Sequence, residues 1–210
     1  MRQFVRVMST LFVLSVTGCD ANIESNSPDG SVIKAELNEK VPEFSLPDLH
    51  GTLKNIAQFR GKIVVLEWFN PDCPFVSYAH LDGPLRDMAA TQTDQVVWLG
   101  INSGGVGKQG TGIDRNKKAK IEYSISHPVL LDENGSVGRM FGAKTTPQMV
   151  LIDEEGILRY NGGLDNSPLG KESEENYQAY FENALKALLA NAPIGQQVTK
   201  PYGCSVKYSN

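Results

Sequence analysis

One continuous run, residues 62–76, constrains this chain more than any other. Lys62 to Phe69 (K-I-V-V-L-E-W-F) is β-branched and aromatic, the pattern of a buried strand. It leads straight into Asn70-Pro71-Asp72-Cys73-Pro74-Phe75-Val76. Pro74 suits the first position of a helix, because its missing N–H would have had no intrahelical partner. The run therefore predicts a strand, a tight turn and a helix over 74–82, with Cys73 as the N-cap. A sulfur in that place faces the free N–H groups of the first turn. The positive end of the helix dipole then favours thiolate over thiol. Asp72, a neighbouring negative charge, opposes this. The chemical reading is a reactive thiol with a lowered pKa; the bland reading is a buried structural cysteine.

The rest of the chain alternates in the same way. Phe44 to Leu49 and the turn His50-Gly51 predict a short hairpin. Gly83-Pro84 breaks the Cys73 helix, and a second helical piece runs to about residue 91. Gln95 to Ile101 is a second buried strand, Asp114 to Tyr123 a charged helix, Pro128 to Leu131 a short strand and Ser136 to Phe141 a short helix. Gln148 to Asp153 and Ile157 to Asn161 flank Glu154-Glu155-Gly156, a hairpin signal. Lys171 to Ala190 reads as one long amphipathic helix, with Tyr177, Tyr180, Phe181, Leu185, Leu188 and Leu189 at helical spacing. The expected fold class is α/β, a central mixed β-sheet flanked by helices.

The chain has 210 residues, 40% of them hydrophobic and 21% charged, which excludes wholesale disorder. Its net charge of −4 provides no basic field for nucleic acid. Arg2 and Arg6 precede an apolar stretch, Val7 to Val16, that is shorter than the roughly 18 residues of a membrane-spanning helix. It ends in Val16-Thr17-Gly18-Cys19, which resembles the lipobox of bacterial lipoproteins. That resemblance implies a signal peptide over 1–18 and lipidation of Cys19. It also implies a membrane partner reached through the lipid, at about 0.8 kcal/mol per buried methylene. Asp20 resembles an inner-membrane retention signal. The expected location is the cell envelope, on the periplasmic side. The bland reading is a plain secretory signal. Residues 19–37 are polar and turn-rich and read as a flexible tether, 38–192 as the folded domain, and 193–210 as a tail carrying Cys204.

On residues 40–190 the sequence resembles the thioredoxin-like superfamily, in its redoxin and peroxiredoxin-like branch. "VPEFSLPDLHGTLKNIAQFRGKIVVLEWF" is similar to the family's opening hairpin, first helix and first core strand. "NPDCPFV" falls at its active-site loop, and "HPVLLDENGSVGRMFGAKTTPQMVLIDEEGILRY" resembles its second half. Thr146-Pro147 matches the cis-proline that lies beside the active cysteine in that family. The resemblance implies substrate contacts at Pro71, Pro74, Trp68, Thr146 and Pro147. It also implies an acid/base carboxylate at Glu67, six residues before Cys73. A Glu inside such a strand is desolvated, which raises its pKa toward neutral; the alternative is a Glu that faces outward or pairs with a lysine.

The departures are equally specific. Val76 stands where a dithiol protein has its second cysteine. Asn70 stands where a typical peroxiredoxin has Thr or Ser, and no arginine clearly matches the activating one near Thr146-Pro147. Cys204, in "YGCSVKY", is the candidate resolving thiol; pairing with Cys73 would close a long loop that favours the oxidised fold by about 5 kcal/mol. The alternatives are that Cys204 stays free or joins another protein.

Two further signals are demoted. Gly105-x-Gly107-x-x-Gly110 matches a dinucleotide fingerprint formally, but the next helix starts too late for these glycines to form its first turn. Cys73, His80 and His127 are too scattered for a metal site. No metal and no cofactor is expected. The function expected is an envelope thiol oxidoreductase acting on a protein disulfide, with a reducing thiol partner. A peroxide reductase with antioxidant activity and a non-catalytic binding module are the alternatives.

Overall fold

The computed structural model describes residues 33–88 and 94–209. Cys19, Asp20, Arg2, Arg6 and most of the expected tether lie outside the described residues, as do residues 89–91 of the second helical piece.

Strands β1 (Ser45–Pro47) and β2 (Leu53–Asn55) form the expected hairpin. Asp48 shapes its turn by accepting the N–H groups of His50 and Thr52. Next come β3 (Ile63–Trp68), α1 (Pro74–Leu81), α2 (Leu85–Met88), β4 (Val96–Asn102), α3 (Ile113–Glu122), β5 (Val129–Leu131) and α4 (Ser136–Met140). The two-residue β6 (Thr145–Thr146), β7 (Met149–Ile152), β8 (Leu158–Gly162), α5 (Tyr180–Leu189) and the two-residue β9 (Cys204–Ser205) complete the order. The central sheet runs β5-β4-β3-β7-β8, parallel between β3, β4 and β5 and antiparallel across β7 and β8. It is the mixed, helix-flanked sheet that the alternating pattern predicts.

Because side chains alternate along a strand, β3 feeds two cores. Val64, Leu66 and Trp68 pack with Val41, Phe44, Val137, Met140 and Phe141 from the opening segment and α4. Ile63 and Val65 pack on the other face with Ala79 of α1, Leu85 of α2 and Phe181 and Leu185 of α5. Each large side chain buried this way stabilises the fold by about 1.5–3 kcal/mol. Gly83 ends α1: a Cβ there would meet the Ala79 and Tyr78 backbone, so the chain turns away where any other residue would clash.

The long helix expected from Lys171 is shorter than its sequence pattern. Helix α5 begins at Tyr180, and residues 171–178 are an exposed loop. They have no apolar face to bury, and hydrogen bonds hold them in another shape. Asn166 accepts the Gln178 N–H and donates to the Asn176 carbonyl, while Ser167 Oγ accepts the Glu172 N–H. Tyr177 is therefore off the helix, with its hydroxyl on Asp165.

Candidate functional site

Cys73 caps α1, as the proline after it predicts, with φ −91° and its carbonyl accepting the Ser77 N–H. Its sulfur departs from the expectation. It makes no cap bond to the first-turn amides but points across the site, its S–H donating to the Thr146 carbonyl at 3.1 Å. The thiol is 1% exposed and packs with Leu49, Phe69, Val76, Ile125 and Val129. It is thus both a helix-start cysteine and a covered one.

The turn before it is clamped. The Asn70 carbonyl accepts the Cys73 N–H, and its side-chain oxygen accepts the Asp72 N–H at 2.8 Å. From α3, Arg115 donates to the Pro71 carbonyl at 2.9 Å and forms an ion pair with Asp72 at 2.7 Å. Tyr123 donates its hydroxyl to the same Pro71 carbonyl at 2.7 Å. Arg115 thereby offsets the Asp72 charge that would oppose a thiolate. The glycine loop at 105–110 abuts this turn: Asn70 donates to the Gln109 carbonyl, and Gln109 donates to that of Asp72.

The tail after α5 folds back over the sulfur. Thr199 Oγ lies on the Tyr160 hydroxyl and accepts the Gly163 N–H. The Tyr202 hydroxyl donates to Asp165 at 2.6 Å. Strand β9 pairs antiparallel with β6, setting Cys204 opposite Thr146. Farther on, the Val206 N–H donates to the Lys144 carbonyl, the Gly105 N–H to that of Lys207, and the Tyr208 hydroxyl to that of Ala143. Cys204 is half-buried. Its thiol is pushed up to about 11 by burial and then by hydrogen bonding and charge interaction with Cys73, so it holds its proton at neutral pH. Both cysteines are free thiols.

Glu67 lies on the α1 face of β3, fully buried. Its oxygens are taken by His80 Nε2 at 2.8 Å and by the Trp98 indole N–H at 3.3 Å. Burial alone pushes this carboxyl up, but the charge and hydrogen bond of His80 and the Trp98 N–H outweigh it. Glu67 therefore sits below its ordinary pKa, not raised toward neutral, and none of its hydrogen bonds reaches Cys73. The His80 ring stacks on Tyr123, which links the buried pair to the clamped turn. Beside it, burial pushes His127 down to about 4, and neither of its ring nitrogens has a hydrogen-bond partner among the described residues.

The fold thus brings Cys73, Cys204, Thr146 and Pro147 together, and the Thr146–Pro147 bond is cis. Pro74 is exposed on the helix start; Pro71 is buried and contributes its carbonyl to the clamp. Trp68, where the resemblance implies a substrate contact, faces the other core. It is fully buried on the opposite face of the sheet, its ring 5.5 Å from Phe141 and its N–H on Ser103. Arg115 and Tyr123 had no distinguishing signal in the sequence, where Arg115 is one charge on a charged helix. Of the arginines nearest Thr146-Pro147 in sequence, Arg139 covers Tyr208 and Arg159 pairs with Asp153.

Comparisons with known proteins give the family and the fold. The Redoxin family model matches residues 36–179, and the chain belongs to that family. The chain is 24% identical over 195 residues to the thiol:disulfide interchange protein DsbE of Vibrio cholerae, covering 90% of this chain and 96% of that one. It is 25% identical to the methylamine utilization protein MauD of Paracoccus versutus, covering 66% of each. A structure of the hypothetical protein SMc02350 from Sinorhizobium meliloti 1021 superposes with a TM-score of 0.70 at 25% identity, over 84% of this chain and 96% of that one. The fold is thioredoxin-like.

Proposed function

We propose that this protein is a thiol–disulfide oxidoreductase with Cys73 as nucleophile and Cys204 as resolving thiol. The carrying observation is the placement of both sulfurs at Thr146, one on a clamped helix start and one on the strand paired across it. The similarity to DsbE supports the reaction class. In the reductive direction, the Cys73 thiolate attacks one sulfur of a client disulfide and the other leaves as a thiolate. Cys204, as its thiolate, then attacks the Cys73 sulfur of the mixed disulfide. The client's second sulfur departs, and two electrons have passed to the client as the Cys73–Cys204 disulfide forms. A reducing thiol partner restores the dithiol. Placement gives the roles their order: Cys73 starts a helix on a clamped turn, and Cys204 rides on the tail segment paired across from it.

The same reading keeps the protein at the cell envelope, anchored through Cys19. One observation favours a second reading: a covered Cys73 is more open to a small hydroperoxide than to a protein. There the thiolate takes one peroxide oxygen to give a sulfenic acid and an alcohol or water. Cys204 condenses with the sulfenic acid and releases water.

The test mixes the reduced protein with a fluorescent peptide disulfide. Cys204→Ser is expected to accumulate a Cys73–peptide mixed disulfide, and Cys73→Ser to form none. Absence of that adduct, with rapid consumption of hydroperoxide by the unaltered protein, would replace the first reading with the second.

A further inference from the structure

The connection from β8 to α5, residues 163–179, is far longer than the about 2–6 residues that usually join a strand to a helix. It stands against the C-terminal end of α1. A cavity of about 390 Å³ opens between them, lined by Tyr78, Asp82, Asp165, Glu172, Glu174 and Tyr177. That volume falls in the range of small-molecule sites. No lysine or arginine is among its lining residues.

The walls are held in place. Gly170, at φ +66°, lies so close to the Tyr78 hydroxyl that a Cβ there would sit 2.0 Å from it. Asn166 and Ser167 fix the loop that carries Glu172 and Glu174. Asp165 is the buried acid of the lining, 2% exposed. Its Oδ1 accepts the Ser167 N–H at 2.7 Å and the Tyr202 hydroxyl at 2.6 Å. Its Oδ2 has only the Tyr177 hydroxyl, at 3.4 Å. Among the described residues no cation pairs with this carboxylate, although buried charges are ordinarily paired. Burial pushes its carboxyl up, and a positive group at Oδ2 would offset that cost. The exposed acids alone would not make a site; here they rim a formed cavity that holds a buried, underpaired carboxylate.

We infer that this cavity binds a small organic cation, a guanidinium or primary ammonium group on a short apolar stem. Its N–H groups donate to Asp165 Oδ2 and to the outer carboxylates, and the Tyr78 and Tyr177 rings attract its charge. The stem lies against Pro84. The group comes from a free amine or guanidine, or from a basic side chain of a second protein. The site goes beyond the exchange reading, and it meets the tail at Asp165, which also holds Tyr202.

Calorimetric titration of the full chain with n-butylguanidinium tests this. Saturable binding is expected, about tenfold tighter than that of n-butylurea, which has nearly the same shape and no charge. Asp165→Asn keeps an acceptor for Tyr202 while removing the charge, and is expected to weaken guanidinium binding about tenfold. Should that variant fail to fold, Glu172→Gln and Glu174→Gln together, both on the surface, are expected to weaken it about threefold. Equal affinity for guanidinium and urea, binding of neither, or undiminished binding in a folded variant would overturn the inference. N-acetyl-arginine amide separates the sources: affinity matching that of n-butylguanidinium assigns the site to a side chain as well, and a much weaker one restricts it to the free cation. The measurement needs no turnover, so failure of the exchange reading would leave it standing.

Discussion

The turn that carries Cys73 and the strap that carries Cys204 meet at Thr146 but are held in different ways. The turn is set on the core. Phe69 and Val76 bury its two ends, Arg115 and Tyr123 grip its carbonyl, and the Glu67–His80 pair lies under the helix it begins. The strap has almost no core of its own. It is fastened by separate hydrogen bonds at Thr199, Tyr202, Val206 and Tyr208. The difference suits the redox pair proposed above, with one sulfur fixed on the core and the other carried on a separately fastened segment. Hydrogen bonds of about 1 kcal/mol each are suited to the second role, and buried pairs to the first.

The largest effect expected from breaking the core under the turn is global. Glu67→Ala leaves His80 buried without its carboxylate and is expected to cost about 3–5 kcal/mol of stability, read by chemical denaturation. A small cost there would mean that the buried pair does not support α1.

The next effect is on pH dependence. His127 has a folded pKa of about 4 against an ordinary value of 6.5, so below that ordinary value the unfolded chain takes up a proton that the folded chain does not. Stability is therefore expected to fall as pH drops from about 6.5 to 4, by up to about 3 kcal/mol. Glu67, held below its ordinary value, adds a loss at the acid end as pH falls toward its folded pKa. His127→Phe removes the unpartnered nitrogens and is expected to flatten the upper part of that slope; denaturation midpoints from pH 7 to pH 4 check this. The smallest effect belongs to the tail segment: Gly203→Ala, whose Cβ would meet the Thr146 carbonyl, is expected to cost only one or two of its hydrogen bonds, about 1–2 kcal/mol by denaturation.

Much of the turn and its core was legible in the sequence because its signals are local. The β-branched run of β3, Pro74 after Cys73 and Gly83-Pro84 after α1 each act within a few residues, and the elements form where they predict. Thr146-Pro147 was legible only through family resemblance, since neither its isomer nor its neighbour is written locally. What was misread depends on distant partners. The carboxyl of Glu67 is lowered because α1 brings His80 onto it, a contact between residues 13 apart in sequence. Arg115 meets Asp72 across 43 positions, and nothing on α3 marks that one arginine. Trp68 neighbours the active turn in sequence, yet strand alternation sends it through the sheet to the other core. Residues 171–178 lack an apolar face, and the helical spacing that runs from Tyr177 to Leu189 was extended over them. The strap itself was legible only as a cysteine near two glycines and two prolines; that it pairs with β6 is a tertiary fact.

The pairing of the two sulfurs is the claim on which the rest depends. Oxidise the full-length protein with diamide, block remaining thiols, digest without reductant and map the linked peptides by mass spectrometry. One dominant species is expected, joining the peptide of Cys73 to that of Cys204 and lost in either serine variant. Recovery of both cysteines as blocked thiols, or of each linked only to a second molecule, would contradict it.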